Sequence, residues 1–443
     1  MSLSSLRIPH GKILTTELEM APYTADASQV APEGMPQAVV VAHSTEDVSA
    51  ALAWANEYGV KVSVRAGGSG VSGGALAYSG GLVIALHEMN QIIGIDPAAR
   101  LATVEAGVLT ADLDTAAREH GLFFAPDPAS AAISTVGGNI ATNAGGLRCL
   151  AHGDTAKAVA ELKVVLANGE VITTGARTVK NSTGLNLTQL FVGSEGTLGI
   201  ITQATVWLTP VQPGPAHTFL AAFDSLSAAG QAVVEIVRST QLETLELIDS
   251  TIAAMVEEYR PSGLPQPGAA LLIGQALGPQ AQQSVEIAAK ISSEKGAAEV
   301  NTGEGDALLE ARRLALPAMQ AHGEWVMGDV GVPVPQLPAM IEAIGCIEKE
   351  EQRAVRIVAH AGDGNLHPMV AVDSGQREQA QGVVDRIVEA AVNLGGVISG
   401  EHGIGLLKQH ELHRQYDAAT LRTQHAIKAA LDPRNILSPG RAI

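Results

Sequence analysis

The sequence predicts a mixed α+β protein built in more than one part, and three observations carry that expectation. At 443 residues the chain exceeds what one hydrophobic core usually organises. Apolar residues make up 46% of it and charged residues only 17%, a folded globular composition. Strand-like and helix-like patterns alternate along its length, and 47 glycines supply unusually many backbone-permissive positions.

Residues 36–42 read as a short buried strand. Ser44 can cap a helix that runs to Tyr58 and ends at Gly59, and residues 60–65 read as a second strand, so the three form a βαβ-like unit. Strands continue at 82–86, 91–95, 101–106 and 161–165, with a helix over 110–120 between them, and Asn168-Gly169 spells a hairpin turn. The proline-rich run from Thr209 to Pro215 breaks ladders and helices alike and marks the candidate boundary. Beyond it, helices over 226–240 and 282–295 alternate with strands at 269–274 and 356–360, an α+β second domain. There is no internal repeat and no low-complexity tract.

A net charge of −18, from 28 basic against 46 acidic residues, argues against a nucleic-acid or anionic-membrane partner. An anionic substrate would therefore need a local basic group. Cys149 and Cys346 form no paired-cysteine motif, which excludes an iron–sulfur cluster and a disulfide scaffold and fits a reducing cytosol. Residues 1–14 lack a basic region followed by an apolar core, and no apolar run approaches the roughly 18 residues of a membrane span. The expectation is a cytoplasmic protein with no transmembrane segment.

Gly68-Ser69-Gly70-Val71-Ser72-Gly73 follows a strand and spells the dinucleotide fingerprint. A Rossmann loop must open a helix whose N-terminus receives the pyrophosphate, whereas residues 74–81 are rich in glycine and turn residues and lead into the next strand. What remains is a loop, 65–74, whose successive N–H groups can surround phosphate oxygens with help from Ser69 and Ser72; alone, it also reads as a flexible surface hairpin. Two further small-residue segments shift the balance, Ser134-Thr135-Val136-Gly137-Gly138-Asn139 through Gly146 and Gly193-Ser194-Glu195-Gly196-Thr197-Leu198-Gly199-Ile200. Three such segments in one domain imply a long ligand lying along the backbone, as FAD would.

On these segments the chain resembles the FAD-linked oxidase superfamily typified by vanillyl-alcohol oxidase, and within it the D-lactate, glycolate and D-2-hydroxyglutarate dehydrogenases. The resemblance implies a two-part FAD-binding domain over 1–212, an antiparallel-sheet substrate cap over 213–395, and a C-terminal segment, 396–443, returning to the FAD domain. It gives Arg65, Gly67, Gly68, Ser69 and Gly70 to the pyrophosphate, and Asp127, Ser134, Gly137, Gly138, Asn143, Gly196 and Ile200 to the flavin or adenosine. Asn435, in the closing segment, is given to the flavin as well, with an ordinary Asx turn as its other reading. Relatives with covalent flavin often carry histidine where Ser69 stands, so non-covalent FAD is implied. One departure is Ala151-His152-Gly153, where the family often has Lys-Tyr-Gly.

His360-Ala361-Gly362-Asp363-Gly364-Asn365-Leu366-His367 places two imidazoles around a tight turn at a strand end, and Ser399-Gly400-Glu401-His402-Gly403 adds a carboxylate beside a further histidine. Two histidines alone are a weak metal signal and read equally as structural groups. By the resemblance, His360, His367 and Glu401 bind a divalent metal, zinc or manganese, and His402 is the catalytic base. A Lewis acid lowers the pKa of the substrate hydroxyl and an imidazole takes its proton while hydride leaves Cα for flavin N5. Asp363 more simply holds the turn.

Of the pair Arg312-Arg313, Arg312 is expected to grip the substrate carboxylate, against the alternative of a solvated charged helix face. The lysine and asparagine that assist a distal carboxylate in D-2-hydroxyglutarate dehydrogenases correspond to Met327 and Met369, which favours a small monocarboxylate. The expected enzyme is thus an FAD-dependent 2-hydroxy-acid dehydrogenase acting on a D-lactate- or glycolate-like acid. A quinone, a cytochrome, an electron-transfer flavoprotein or a partner subunit is compatible as electron acceptor, as is a homodimer. A D-2-hydroxyglutarate-type enzyme is the nearest alternative. A metal-dependent hydrolase leaves the glycine segments unexplained, and a non-catalytic electron-transfer subunit leaves His402 and Arg312 so.

Overall fold

The computed structural model describes residues 3–443 apart from Pro267 and Ser374. It divides into two compact units, one of Met1–Gly145, Asp154–Val211 and Glu401–Ile443, the other of Gly146–Gly153 and Gln212–Gly400.

The first unit holds a four-stranded sheet in the order Lys12–Leu14, Ala38–Val41, Leu82–Ala85, Val62–Arg65. The helix Thr45–Tyr58 forms as its sequence predicts: Ser44 and Asp47 close a reciprocal capping box, and Gly59 ends the helix at φ 67. The βαβ-like unit is more open than its sequence suggested. Strands Ala38–Val41 and Val62–Arg65 do not touch; each runs parallel to Leu82–Ala85, which lies between them. That strand is apolar on both faces and wholly buried, so the central position suits it.

A five-stranded antiparallel sheet completes this unit, in the order Ile92–Asp96, Leu101–Glu105, Ile200–Trp207, Val159–Val165, Val171–Gly175. Its last two strands are joined at Asn168-Gly169, where Gly169 has φ 87 and Val165 pairs with Val171. The C-terminal helix Ala418–Leu431 belongs to the same unit. After it, Leu437 bridges to Val62 in parallel and enters the core beside Trp54 and Ile84. Lys428 fastens this return: its Nζ donates to the carbonyls of Thr197 and Leu437, both at 2.7 Å, and pairs with Asp432.

The second unit is an eight-stranded antiparallel sheet whose main path runs Ala297–Glu304, His217–Phe223, Ala270–Ala276, Thr244–Asp249, Val355–His360, Asn365–Ala371, Trp325–Met327. The helices Leu226–Ser239 and Ala281–Glu294 lie where the apolar periodicity placed them. Ile248 pairs with Val358 and Val358 with His367. Since side chains alternate along a strand, that register puts Glu246, Ile248, Val358, His360, His367 and Met369 on one face. The apolar members pack with Ala311, Ala315 and Met319 of the helices Ala307–Arg313 and Ala315–Ala321. Among the described residues, no helix is long and apolar enough to cross a membrane.

Candidate active site

In the first unit the three glycine-rich segments meet. No helix follows the first of them, and residues 66–81 are irregular as expected. A Cβ at Gly67 would stand 2.4 Å from the carbonyl oxygen of Ile133, just before the second segment. Gly68 has φ 69, and a Cβ there would meet the Arg65 guanidinium at 2.2 Å, so Arg65 is folded under the loop, where it also donates to the carbonyl of Ala25. At Gly70 a Cβ would meet nothing within 4 Å. The loop is thus packed on one side and open on the other, a cradle suited to phosphate oxygens.

The second segment is partly helical. Val136–Thr142 is a short helix capped by the Thr135 hydroxyl, which accepts from the Gly138 N–H at 3.1 Å. Glycine is needed at 137 because a Cβ would come 2.5 Å from that of Ala106. The third segment docks on this helix, Gly193 and Glu195 donating to the carbonyls of Ile140 and Ala141 at 2.9 and 2.8 Å. Packing of this kind explains the small residues on the protein side, and the convergence fits one extended ligand such as FAD.

Several expected flavin contacts have structural work of their own. Asn143 ends the short helix at φ 51, donates to Asp154 at 2.7 Å and accepts from the Ala156 N–H at 2.9 Å. Ser134 is buried against Thr110, 3.1 Å between hydroxyls. The Ile200 side chain lies in the core, leaving only its backbone for a ligand. Asp127 is partly buried. Asn435 is exposed at φ 50 in the turn after the last helix, a conformation asparagine tolerates. Gly196 has φ 73 and lies beside Val64, whose Cγ2 a Cβ would meet at 3.3 Å.

The Glu401-His402 segment belongs to this same unit and is fastened to two of the glycine loops. The Ser72 hydroxyl, expected to assist phosphate, donates instead to the His402 carbonyl at 2.8 Å, and the Ser72 carbonyl accepts from Leu406 N–H at 2.9 Å. Glu195 accepts from the N–H groups of Ile404 and Gly405 at 2.7 and 2.8 Å. Burial pushes the Glu195 carboxyl above its ordinary pKa despite those two donors. The side chains of Glu401 and His402 stand 3.8 Å apart and are largely buried. Arg441 ties the C-terminal segment to the first loop, stacking over Tyr78 at 4.3 Å and donating to the Gly74 carbonyl at 2.9 Å.

The second unit gathers the other expected residues on one sheet face. The imidazoles of His360 and His367 meet edge to face with centroids 5.4 Å apart. His360 stands opposite Asn365 in the register, two residues from His367, which makes the histidines diagonal neighbours. Each turns Nδ1 to a buried carboxylate: His360 to Glu246 at 3.0 Å, His367 to Asp329 at 4.0 Å. Asp329 in turn accepts from the Ser399 hydroxyl at 2.7 Å. The hydrogen-bonded His360–Glu246 pair is the usual support of a metal-ligating imidazole, the His367–Asp329 approach is longer than a hydrogen bond, and the donor chemistry fits a divalent ion. Asp363 caps the intervening turn, accepting from Asn365 N–H at 3.1 Å.

Arg312 and Arg313 separate sharply. Arg312 is buried and its Nη2 lies 2.9 Å from Glu246, whereas Arg313 is partly exposed beside Glu310. Burial works to raise the Glu246 carboxyl, but His360 and Arg312 outweigh it and hold its pKa below the ordinary value. Met327 and Met369 are direct cross-strand neighbours, Met369 fully in the core. At the departure noted above, His152 pairs with Glu243 at 2.8 Å. Sequence reasoning did not find Glu246, Asp329 or Glu195. Glu246 had a signal, a lone acid between Leu245 and Leu247 in a strand-like run; the other two had none beyond their proximity to glycine.

Comparison with known proteins agrees across the chain. Residues 36–175 match the family model described as FAD binding domain, and residues 212–442 match that of the C-terminal domain of FAD linked oxidases. The chain is 39% identical over 420 residues to the glycolate oxidase subunit GlcD of Bacillus subtilis, covering 92% of this chain and 89% of that one. It is 36% identical over 420 residues to the D-lactate dehydrogenase of Archaeoglobus fulgidus, covering 94% and 93%. Among solved structures, p-cresol methylhydroxylase superposes with a TM-score of 0.79 over 97% of this chain and 93% of that one, at 19% identity. That likeness concerns the fold, and it bears out the expected vanillyl-alcohol oxidase architecture. With both parts matched and relatives of this identity along nearly its whole length, the chain belongs to the FAD-linked oxidase family and is an FAD-linked oxidoreductase.

Proposed function

We propose that the protein oxidises a small 2-hydroxy acid of the D-lactate or glycolate kind to the 2-oxo acid, using non-covalently held FAD. One observation carries the reading: a guanidinium suited to a carboxylate and an imidazole suited to a metal share the buried carboxylate of Glu246. Arg312 is proposed to receive the substrate carboxylate. His360 and His367, with Glu401 as third ligand, are proposed to hold a divalent ion, and their nitrogen and oxygen donors suit zinc or manganese. When bound, FAD supplies the hydride acceptor and the ion a Lewis acid that lowers the hydroxyl pKa.

The chain's own groups orient and deprotonate the substrate. His402 takes the hydroxyl proton as the Cα hydrogen leaves with its electron pair, so the acid loses one proton and one hydride and becomes the 2-oxo acid. Arg65, Gly67, Gly68, Ser69, Gly70, Asp127, Ser134, Gly137, Gly138, Asn143, Gly196, Ile200 and Asn435 are proposed to line the FAD, many through their backbone, within a domain over 1–212. Met327 and Met369 supply no cation for a second carboxylate, which favours a monocarboxylate substrate over 2-hydroxyglutarate.

The electrons then pass to a quinone, a cytochrome, an electron-transfer flavoprotein or a partner subunit. That the Bacillus subtilis relative is named a subunit supports the last. A cytoplasmic home is part of the same proposal.

The test is anaerobic. The purified protein should be yellow and bleach on adding D-lactate or glycolate, and chelation should abolish turnover until zinc or manganese is returned. A colourless protein that cannot take up FAD, or one unbleached by a panel of D- and L-2-hydroxy acids, would sink the proposal.

A further inference from the structure

We propose that Glu246 is a positioning residue of the oxidation, holding the His360 imidazole and the Arg312 guanidinium in one fixed relation through a single buried carboxylate. The inference rests on the reading above that His360 ligates a metal and Arg312 receives the substrate carboxylate.

Glu246 is 1% exposed, on the strand Thr244–Asp249 between Leu245 and Leu247. A carboxylate in such a place is tolerated only when its partners compensate for lost water. They do: the Thr244 hydroxyl donates to Oε1 at 3.1 Å, His360 Nδ1 lies at 3.0 Å, and Arg312 Nη2 lies 2.9 Å from Oε2. An ionised carboxylate only accepts, so the ring nitrogen facing it carries the hydrogen. That fixes the tautomer of a neutral His360 and makes Nε2 its ligand atom. The same carboxylate anchors the Arg312 guanidinium at Nη2, and a guanidinium fork grips a carboxylate well only when its plane is set.

Stability alone would not select this residue. Well-packed apolar side chains commonly replace both members of a buried ion pair without loss, and the neighbours on this face, Ile248 and Val358, are apolar. The charge therefore points to a demand made by the two groups it touches.

The experiment measures zinc affinity by competition with a chelating dye, on the full-length FAD-loaded protein. Glu246→Gln should bind zinc about 10- to 100-fold more weakly, with a raised KM for the hydroxy acid, and should also melt lower because the buried Arg312 loses its counter-charge. Glu246→Asp, which keeps the charge, should recover part of that affinity. In a His360→Ala background, adding Glu246→Gln should change zinc affinity no further. Zinc affinity within about twofold of the parent in a folded Glu246→Gln protein, or a full additional loss on top of His360→Ala, would overturn the inference. If Glu246→Gln does not fold, Glu246→Asp replaces it in the same cycle, and unaltered zinc affinity there overturns the inference equally. Zinc affinity unaffected by His360→Ala itself would instead overturn the metal reading on which the inference rests.

Discussion

The Ser72 hydroxyl donates to the main-chain carbonyl of His402 at 2.8 Å. A residue of the first glycine-rich loop thereby holds the backbone of the candidate base, and Glu195 of the third loop holds the two N–H groups that follow it. The elements proposed to cradle FAD and the residue proposed to deprotonate the substrate are one connected piece of structure. Ser72 is buried and touches only backbone there, so its effect on chemistry must be indirect.

Ser72→Ala should accordingly lower kcat while sparing FAD content. Displacement of a reacting group by about 1 Å costs on the order of 100-fold in rate, and loss of one of several fasteners should cost about 10-fold. Flavin absorbance after gel filtration and steady-state kinetics read the two separately. An unchanged kcat would show that the remaining contacts fix His402 without the serine.

His402→Ala removes the proposed proton acceptor and should slow anaerobic flavin reduction by about 100- to 10,000-fold, the usual worth of a positioned base. The variant should remain yellow, because its side chain has no part in the fastening just described. Stopped-flow absorbance under substrate saturation makes the measurement. Reduction at the parent rate would take His402 out of the mechanism.

Much of this site was legible in residue types. His360 and His367 fall on one sheet face, Arg312 reaches Glu246 of that face from the helix Ala307–Arg313, and the segment bearing Glu401 and His402 meets the glycine loops in the first unit. The supporting carboxylates were less so. Glu195 lies far in sequence from Ile404 and Gly405, and nothing local signals a carboxylate aimed at distant backbone donors. Asp329 was likewise hidden, being a single acid among glycines and valines. The opening of the βαβ-like unit was hidden for a related reason: local periodicity shows that residues 38–41, 62–65 and 82–85 are strands, but Ala38–Val41 and Leu82–Ala85 are equally apolar and buried, so nothing local says which strand sits between the others. The short helix Val136–Thr142 was hidden as well, since Thr135 and close packing on Ala106 form it within a glycine-bearing run.

Two glycine substitutions separate packing from ligand contact in the first loop. At Gly67 a Cβ would stand 2.4 Å from the Ile133 carbonyl oxygen, so Gly67→Ala must displace backbone. Overpacking of that order costs about 1–3 kcal/mol, and it should weaken FAD binding about 10- to 100-fold while lowering the melting temperature of the apoprotein. Gly70→Ala meets open space and should leave apoprotein melting unchanged. A loss of FAD affinity there would report contact with the ligand itself. Full FAD affinity in both variants, measured by flavin fluorescence titration, would place the phosphates elsewhere.

The capping carboxylate Asp47 gives the first unit a pH dependence whose sign is fixed. Its oxygens accept from the N–H groups of His10 at 2.8 Å, His43 at 2.9 Å and Ser44 at 3.1 Å. Burial alone would raise its carboxyl, but the backbone donors His10, His43 and Gly11, with the Ser44 hydroxyl, outweigh it and hold the pKa below the ordinary aspartate value. A depressed folded pKa means that the ionised form is the one the fold prefers. Its stabilisation is complete above the unfolded value of about 3.9 and is lost as pH falls through the folded one. Asp47→Asn keeps the shape but offers one acceptor oxygen and no charge, and should cost about 1–2 kcal/mol at neutral pH. The gap between parent and variant, measured by urea unfolding at a series of pH values, should narrow below about pH 4, because the parent's own carboxyl is then protonated. A gap that stays constant into that range would mean that Asp47 acts through shape alone and that its charge contributes nothing to holding the N-terminal strand against the helix.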